Sequence, residues 1–290
     1  MKKYTILIPV YDDWDSLKKL LNDINKNIND IKDTEFSCVI INDASKNEFL
    51  EIKKPNKINS IEVITMQENR GHARCIAFGI RYLSKSSGMD YLIIMDGDGE
   101  DRPEEIKKLV EKTLAIENFS VVAKRVKRAE GVIFQALYQT HKLITLFFTG
   151  KMINFGNYSC LTKQDIKTLS DKPSLWSSFS GSFKKYIHNF QTIDSIRGKR
   201  YFGPSKMSLI QLMLHSFSII AVFKSTVFTR SAILIFLVSF LGSLLGIYLI
   251  IIQILIVIFN ILIFLISLRE DKKSLLESHT NVKSQKFLTH

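Results

Sequence analysis

Apolar positions follow two periods along the first two-thirds of the chain. Tyr4–Val10, Phe36–Ile41, Ile61–Met66, Tyr91–Met95 and Ser120–Ala123 are short aliphatic and β-branched runs, the pattern of buried strands. Between them Leu17, Leu20, Leu21, Ile24 and Ile28 fall on one helical face, and Gly71–Leu83 reads as a second helix. Pro103 suits the first turn of a third. Strand and helix in alternation predict an α/β fold, a mainly parallel sheet with helices on both faces.

The pattern changes after residue 206. From Met207 to Phe223 the chain is apolar except for one intermittently polar face at Ser208, Gln211, His215 and Ser218, which suits a helix lying in a membrane interface. No charged residue occurs from Ser231 to Leu268. As one helix that run would extend about 57 Å, nearly twice the roughly 30 Å of a hydrocarbon core. Two crossings turning near Tyr248–Gln253 fit better. Lys224 and Arg230 precede the run and Arg269, Lys272 and Lys273 follow it, which puts both termini in the cytosol. The tail after Arg269 is polar and without period, and disorder is expected there. The chain therefore divides into 1–206, an α/β domain; 207–223, an interfacial helix; 224–268, a transmembrane hairpin; and 269–290, a cytosolic polar tail.

Composition narrows the function classes. Over 290 residues the net charge is +12, which invites a nucleic-acid reading. No nucleic-acid motif or aromatic–basic ladder supports it. Much of the excess lies between Lys124 and Arg200 or beside the apolar region, where basic residues attract anionic headgroups and diphosphates. The three cysteines, Cys38, Cys75 and Cys160, form no C-x-x-C pair, which excludes a zinc or redox motif and fits a reducing compartment. Met1-Lys2-Lys3 leads straight into a strand, and no signal peptide is read there.

The candidate chemistry sits at strand ends. Asp96-Gly97-Asp98-Gly99-Glu100-Asp101 follows Tyr91–Met95 directly. Asp96, Asp98 and Glu100 alternate, so on extended chain they project to one side. Three hard oxygen donors suit Mg²⁺ or Mn²⁺, and such an ion in turn holds phosphate oxygens. A calcium loop is excluded, because its sixth position is Asp101 and not glycine. Pro9-Val10-Tyr11 and Asn42-Asp43-Ala44-Ser45 end two other strands, and ligands in such sheets bind beyond the strands' carboxyl ends. His72 and His215 have no spaced partner that would make either a metal ligand.

These residues carry a resemblance. Ile8-Pro9-Val10-Tyr11-Asp12-Asp13, Ile40-Ile41-Asn42-Asp43-Ala44-Ser45, Glu68-Asn69-Arg70-Gly71-His72-Ala73 and Met95-Asp96-Gly97-Asp98 resemble successive motifs of family 2 glycosyltransferases, whose fold is the Rossmann-like GT-A. Arg200-Tyr201-Phe202-Gly203-Pro204-Ser205-Lys206 resembles the R-x-x-G-x-S-K element of the dolichol- or polyprenyl-phosphate sugar synthases, which the C-terminal architecture also matches. The resemblance implies a donor pocket lined by Pro9, Tyr11, Asp13, Asp43 and Asp96, with Asp43 on the base or ribose. It implies a metal held by Asp96, Asp98 and Glu100, catalytic roles for Asp98 and Arg125, and an acceptor phosphate on Arg200, Ser205 and Lys206. Three positions depart from the pattern: Asn42 for Asp, Glu100 for Gln, and Asn154-Phe155-Gly156-Asn157-Tyr158 for a G-D-F-R-L-like stretch.

The expected enzyme is a membrane-anchored, metal-dependent, inverting glycosyltransferase that moves a sugar from a UDP- or GDP-linked donor to polyprenyl phosphate at the cytosolic face. A hydroxyl acceptor would need a carboxylate base. Between residues 131 and 200 Asp165, Asp171 and Asp194 are isolated, which favours a phosphate acceptor. Extension of a lipid-linked glycan at a hydroxyl is the alternative enzyme, and an inactive membrane-tethered binding protein the alternative class. A homo-oligomer is allowed by the sequence and not demanded by it.

Overall fold

The computed structural model describes residues 1–47, 52–127, 132–204, 208–240 and 246–288. In chain order the elements are β1 (Lys2–Val10), α1 (Trp14–Ile28), β2 (Thr34–Asn42), β3 (Ile58–Met66), α2 (His72–Ser84), β4 (Tyr91–Ile94), α3 (Ile106–Ala115), β5 (Ser120–Lys127), α4 (Val132–Thr149), β6 (Phe155–Thr162), α5 (Lys163–Leu169), α6 (Phe179–Tyr186), β7 (Phe190–Ile196), α7 (Leu209–Ala221), α8 (Lys224–Ser239), α9 (Ile247–Ser267), α10 (Lys272–Leu276) and β8 (Val282–Phe287).

One sheet has the strand order β7-β5-β6-β4-β1-β2-β3-β8. Its centre is parallel, as the alternation predicts, with β1 on β2 and β4, and β2 on β3. Antiparallel β6 inserts between β4 and β5, so β5 meets the sheet through β6. Side-chain alternation on β1 builds the two faces. Tyr4, Ile6, Ile8 and Val10 join Leu17, Leu20, Leu21 and Ile24 of α1 and Leu109 of α3, while Leu7 on the other face packs with Ile76, Phe78 and Ile80 of α2 and Phe179 and Phe183 of α6.

The polar tail is ordered, against the expectation from its composition. β8 pairs antiparallel with β3, and Asn281, 3% exposed, bonds the turn beyond β3. Gln67 N donates to Asn281 O at 2.7 Å, and Asn281 Nδ2 donates to Glu68 O at 3.1 Å. Exposed side chains hid β8, because an edge strand is held by its backbone. The boundary at 269 therefore separates nothing, and the last strand belongs to the α/β domain.

Between domain and tail the apolar chain forms helices. α9 is long and apolar enough to cross a membrane: its 21 residues extend about 32 Å against a core of about 30 Å. α7 and α8 meet at 83°. Near the domain Lys224 Nζ pairs with Glu270 Oε2 at 3.0 Å, and at the far end Gln253 Nε2 donates to Ser239 Oγ at 2.9 Å. α8 and α9 thus run antiparallel. Tyr248–Gln253, where the turn was expected, lies inside α9, and the two helices bracket residues 241–245, outside the described residues. α7 is exposed at its start, at Ile210 and Met213, and buried at its end, at Ile219 and Ile220.

Candidate active site

The carboxyl ends of β1, β2 and β4 bring their polar motifs together. Asp12 ties the first two, accepting from Lys46 N at 2.8 Å and Asn47 N at 2.9 Å, while its own amide donates to Ser45 Oγ at 2.9 Å. Asn42 folds the second loop, with Ser45 N donating to its Oδ1 at 3.0 Å. Its amide can do what a carboxylate would in this turn. Gly97 lies against Pro9, where a β-carbon would stand 3.1 Å from the Pro9 carbonyl oxygen. Tyr11 and Asp13 are half-buried beside this loop.

Asp43, expected on the base or ribose, is engaged by the loop that precedes α2. It is 4% exposed, and its two oxygens accept from Arg70 N at 2.9 Å and Gly71 N at 2.8 Å. It thereby shapes the loop that opens α2 and delivers His72 to Asp96, with Nε2 at 3.1 Å from Oδ1. Asn157 Nδ2 sits 3.0 Å from His72 Nε2 and 3.4 Å from Asp96 Oδ1. The neighbouring carboxylate raises the His72 pKa in spite of burial, while Asp96 is driven well below the usual carboxylate range in spite of its own burial by His72 and then Arg125.

The three alternating carboxylates do not converge. Each meets a different basic side chain: Asp96 meets His72, Asp98 meets Arg200 Nη1 at 2.7 Å, and Glu100 meets Arg197 Nε at 2.9 Å. Among the described residues no group of three His, Cys, Asp or Glu is placed to hold a metal ion. The turn at Gly99, with φ of 87°, departs from the extended geometry on which Asp98 and Glu100 would project to one side.

A strap following β7 holds the acidic loop. Gly198 N donates to Glu100 O at 2.8 Å, and Tyr201 N donates to Asp98 O at 2.9 Å. Tyr201 OH donates to Asp23 Oδ2 at 2.8 Å, and Arg200 also pairs with Asp13. Glu105 anchors the strap's start, accepting from Ser195 Oγ at 2.6 Å and Ile196 N at 3.1 Å. Ser205 and Lys206, expected on the acceptor side, lie outside the described residues.

Electrostatics single out Asp98 and Asp101. Burial, then the charge of Asp96, lifts Asp98 to about 6 and Asp101 to about 7. Asp101 accepts from Asp96 N at 2.9 Å. Arg125, packed against Gly156 so closely that a β-carbon there would lie 2.6 Å from Nη2, faces the same carboxylates. Crowded hard anions beside one guanidinium are a donor set that a divalent cation fits. Mg²⁺ commonly takes only one or two protein carboxylates and completes its shell with phosphate and water, so two suffice.

His72, Asn157, Asp101, Arg197 and Tyr201 are the site residues that sequence reasoning missed. The basic cluster Arg197–Arg200 and the glycine that opens α2 before His72 were the available signals.

Comparisons with known proteins speak to the family and the fold. The profile of "Glycosyl transferase family 2" matches residues 5–187. The chain is 23% identical over 261 residues to "Undecaprenyl-phosphate 4-deoxy-4-formamido-L-arabinose transferase" of Klebsiella pneumoniae, covering 87% of this chain and 77% of that protein. To the protein of the same name from Salmonella choleraesuis it is 26% identical, covering 85% and 73%. Among solved structures, the mannosyltransferase PcManGT of Pyrobaculum calidifontis, in complex with GDP-Man and Mn²⁺, superposes with TM-score 0.50 at 13% identity, covering 91% of this chain and 86% of that one. Glucosyl-3-phosphoglycerate synthase of Mycobacterium tuberculosis, with Mn²⁺, UDP-glucose and phosphoglyceric acid, superposes with TM-score 0.51 at 14% identity, covering 78% and 80%. These two likenesses speak to the fold.

Proposed function

The chain belongs to glycosyl transferase family 2, and we propose that it is a membrane-anchored inverting enzyme transferring a sugar from a UDP- or GDP-linked donor to polyprenyl phosphate at the cytosolic membrane face. The relatives named as undecaprenyl-phosphate sugar transferases support the acceptor class. The observation that carries it is the disposition of carboxylates. Asp165 accepts from Ser120 at the start of β5, Asp171 pairs with Lys172 at 3.2 Å, and Asp194 is exposed on β7. In this stretch Asp165 and Asp171 are engaged by neighbours and Asp194 lies on an edge strand, which favours a lipid phosphate, already anionic, over a hydroxyl that needs a base.

On this reading Pro9, Tyr11 and Asp13 line the nucleotide pocket, and Asp43 sets the shape of its wall. Asp98, with Asp96, would hold Mg²⁺ or Mn²⁺, the class of ion present with two structural neighbours. A bound ion supplies Lewis-acid stabilisation of the charge on the departing diphosphate. Arg125 adds fixed positive charge beside the same oxygens. Arg200, with Ser205 and Lys206, orients the acceptor phosphate, whose oxygen attacks the anomeric carbon as the bond to the nucleoside diphosphate breaks. One displacement inverts the centre, and no proton moves. α9 and α8 keep the site at the lipid surface, with both termini cytosolic.

Incubating purified protein with polyprenyl phosphate and a panel of nucleotide sugars tests the proposal. A product of the mass of polyprenyl-phosphate-sugar is expected. A sugar joined only to a glycan hydroxyl would replace it with the alternative enzyme, and no metal-dependent consumption of any donor would leave a binding protein.

A further inference from the structure

A second cluster of positive charge lies outside the acidic loop. Arg70 and Arg74, at the start of α2, and Arg269, just after α9, line one cavity of about 280 Å³ with Trp176, Leu268 and Asp271. Arg74 is held in place: Nη1 donates to Arg70 O at 2.8 Å, and its guanidinium lies 5.7 Å from the Trp176 ring centroid. Among the described residues neither Arg74 nor Arg269 has an ion-pair partner. Arg70 pairs with Glu68, an exposed side chain, at 3.6 Å. The one carboxylate of the lining, Asp271, is committed to α10, since Ser274 N donates to Oδ1 at 3.0 Å and Ser274 Oγ donates to Oδ2. Burial, then the charges of Arg269 and Arg70, lower the Arg74 pKa, and the opposing charges of Asp43 and Asp271 do not reverse the shift.

We propose that this cavity is an anion site of its own, distinct from the acidic loop, which binds a phosphate group at the membrane surface. Guanidinium forks match phosphate oxygens in pairs. The volume lies at the lower end of the roughly 300–1,000 Å³ typical of small-molecule sites, which suits a headgroup. Its position adds the source. Leu268 and Arg269 directly follow α9, so if α9 crosses the membrane, as the functional reading has it, Arg269 stands at headgroup level. One phosphate would then join the start of α2 to the end of the membrane helix, coupling the catalytic domain to the leaflet beneath it.

The test reads binding and not sugar transfer, so its failure is separable from failure of the functional reading. The full chain in neutral detergent is titrated with inorganic phosphate, short-chain phosphatidic acid and short-chain phosphatidylcholine while its unfolding midpoint is followed. Phosphatidic acid is expected to raise the midpoint saturably, and phosphatidylcholine not to. Arg74→Gln and Arg269→Gln should each weaken that binding about tenfold, the scale of one lost charged hydrogen bond, and Arg200→Ala should leave it unchanged. If inorganic phosphate gives the same shift, the site takes free phosphate; if it gives none, the site takes a lipid headgroup. A shift that phosphatidylcholine reproduces, that survives in the double variant, or that disappears in Arg200→Ala overturns the proposal, as does no shift at all. Arg269 is half-exposed at a helix end, so Arg269→Gln carries the test alone should Arg74→Gln fail to fold.

Discussion

Tyr201 occupies the place where Gly99 would carry a side chain: a β-carbon there would stand 2.5 Å from the ring. The contact presses the strap onto the acidic loop. Gly99→Ala should therefore displace the strap and also strain a backbone at φ 87°. About 1–3 kcal/mol of stability should be lost, with sugar transfer falling further than the unfolding midpoint suggests. Denaturant unfolding and initial rates on the same preparation check this, and a variant of wild-type rate would show the strap to be dispensable.

Asp98→Asn keeps the shape of the side chain and removes its charge. Turnover should fall by about 10²-fold or more, the usual cost of losing one such electrostatic stabiliser, while the unfolding midpoint stays near wild type. Chelator should silence the wild-type enzyme. Activity that survives chelation would count against the metal.

Arg200→Ala strands two carboxylates, Asp13 and Asp98, that now share one guanidinium. Transfer to polyprenyl phosphate should drop at least tenfold, through a raised acceptor KM more than through donor affinity. Rates across an acceptor titration, beside nucleotide binding by calorimetry, separate the two.

By apolarity alone, cutting the chain after Phe223 should free a more soluble catalytic domain. The pairing of β8 with β3 forecasts the opposite, since the cut removes the sheet's last strand and opens the outer edge of β3, which then pairs only with β2. The truncated protein should aggregate or unfold at lower denaturant than the full chain in detergent. Supplying residues 270–290 behind a short linker should restore it.

β8 also constrains topology. A strand paired to β3 must lie on the same side of the membrane as β3, so the chain between them crosses an even number of times or not at all. Compartment-sensitive reporters at either terminus should both report cytosol.

Legibility in the sequence followed burial. β1, β2, β3 and β4 are buried on both faces and wrote themselves as apolar runs, so their end loops, and Asp96 and Asp98 with them, could be located. β8 reads Val-Lys-Ser-Gln-Lys-Phe, mostly exposed, and makes no demand on side-chain type; nothing in its pattern distinguishes it from a disordered tail. His72 and Asp96 meet because Asp43 bends the loop between β3 and α2, a tertiary act without periodicity. The uniform apolarity from Ser231 to Leu268 marks a membrane segment but carries no phase, and so the turn was misplaced into α9.

The order of synthesis gives β8 a further meaning. The ribosome delivers β3 early and its partner strand last, after the apolar helices have emerged. Until then the sheet keeps an open edge, which a chaperone or a neighbouring nascent chain could occupy. Closure of that edge therefore waits until the apolar helices have left the ribosome.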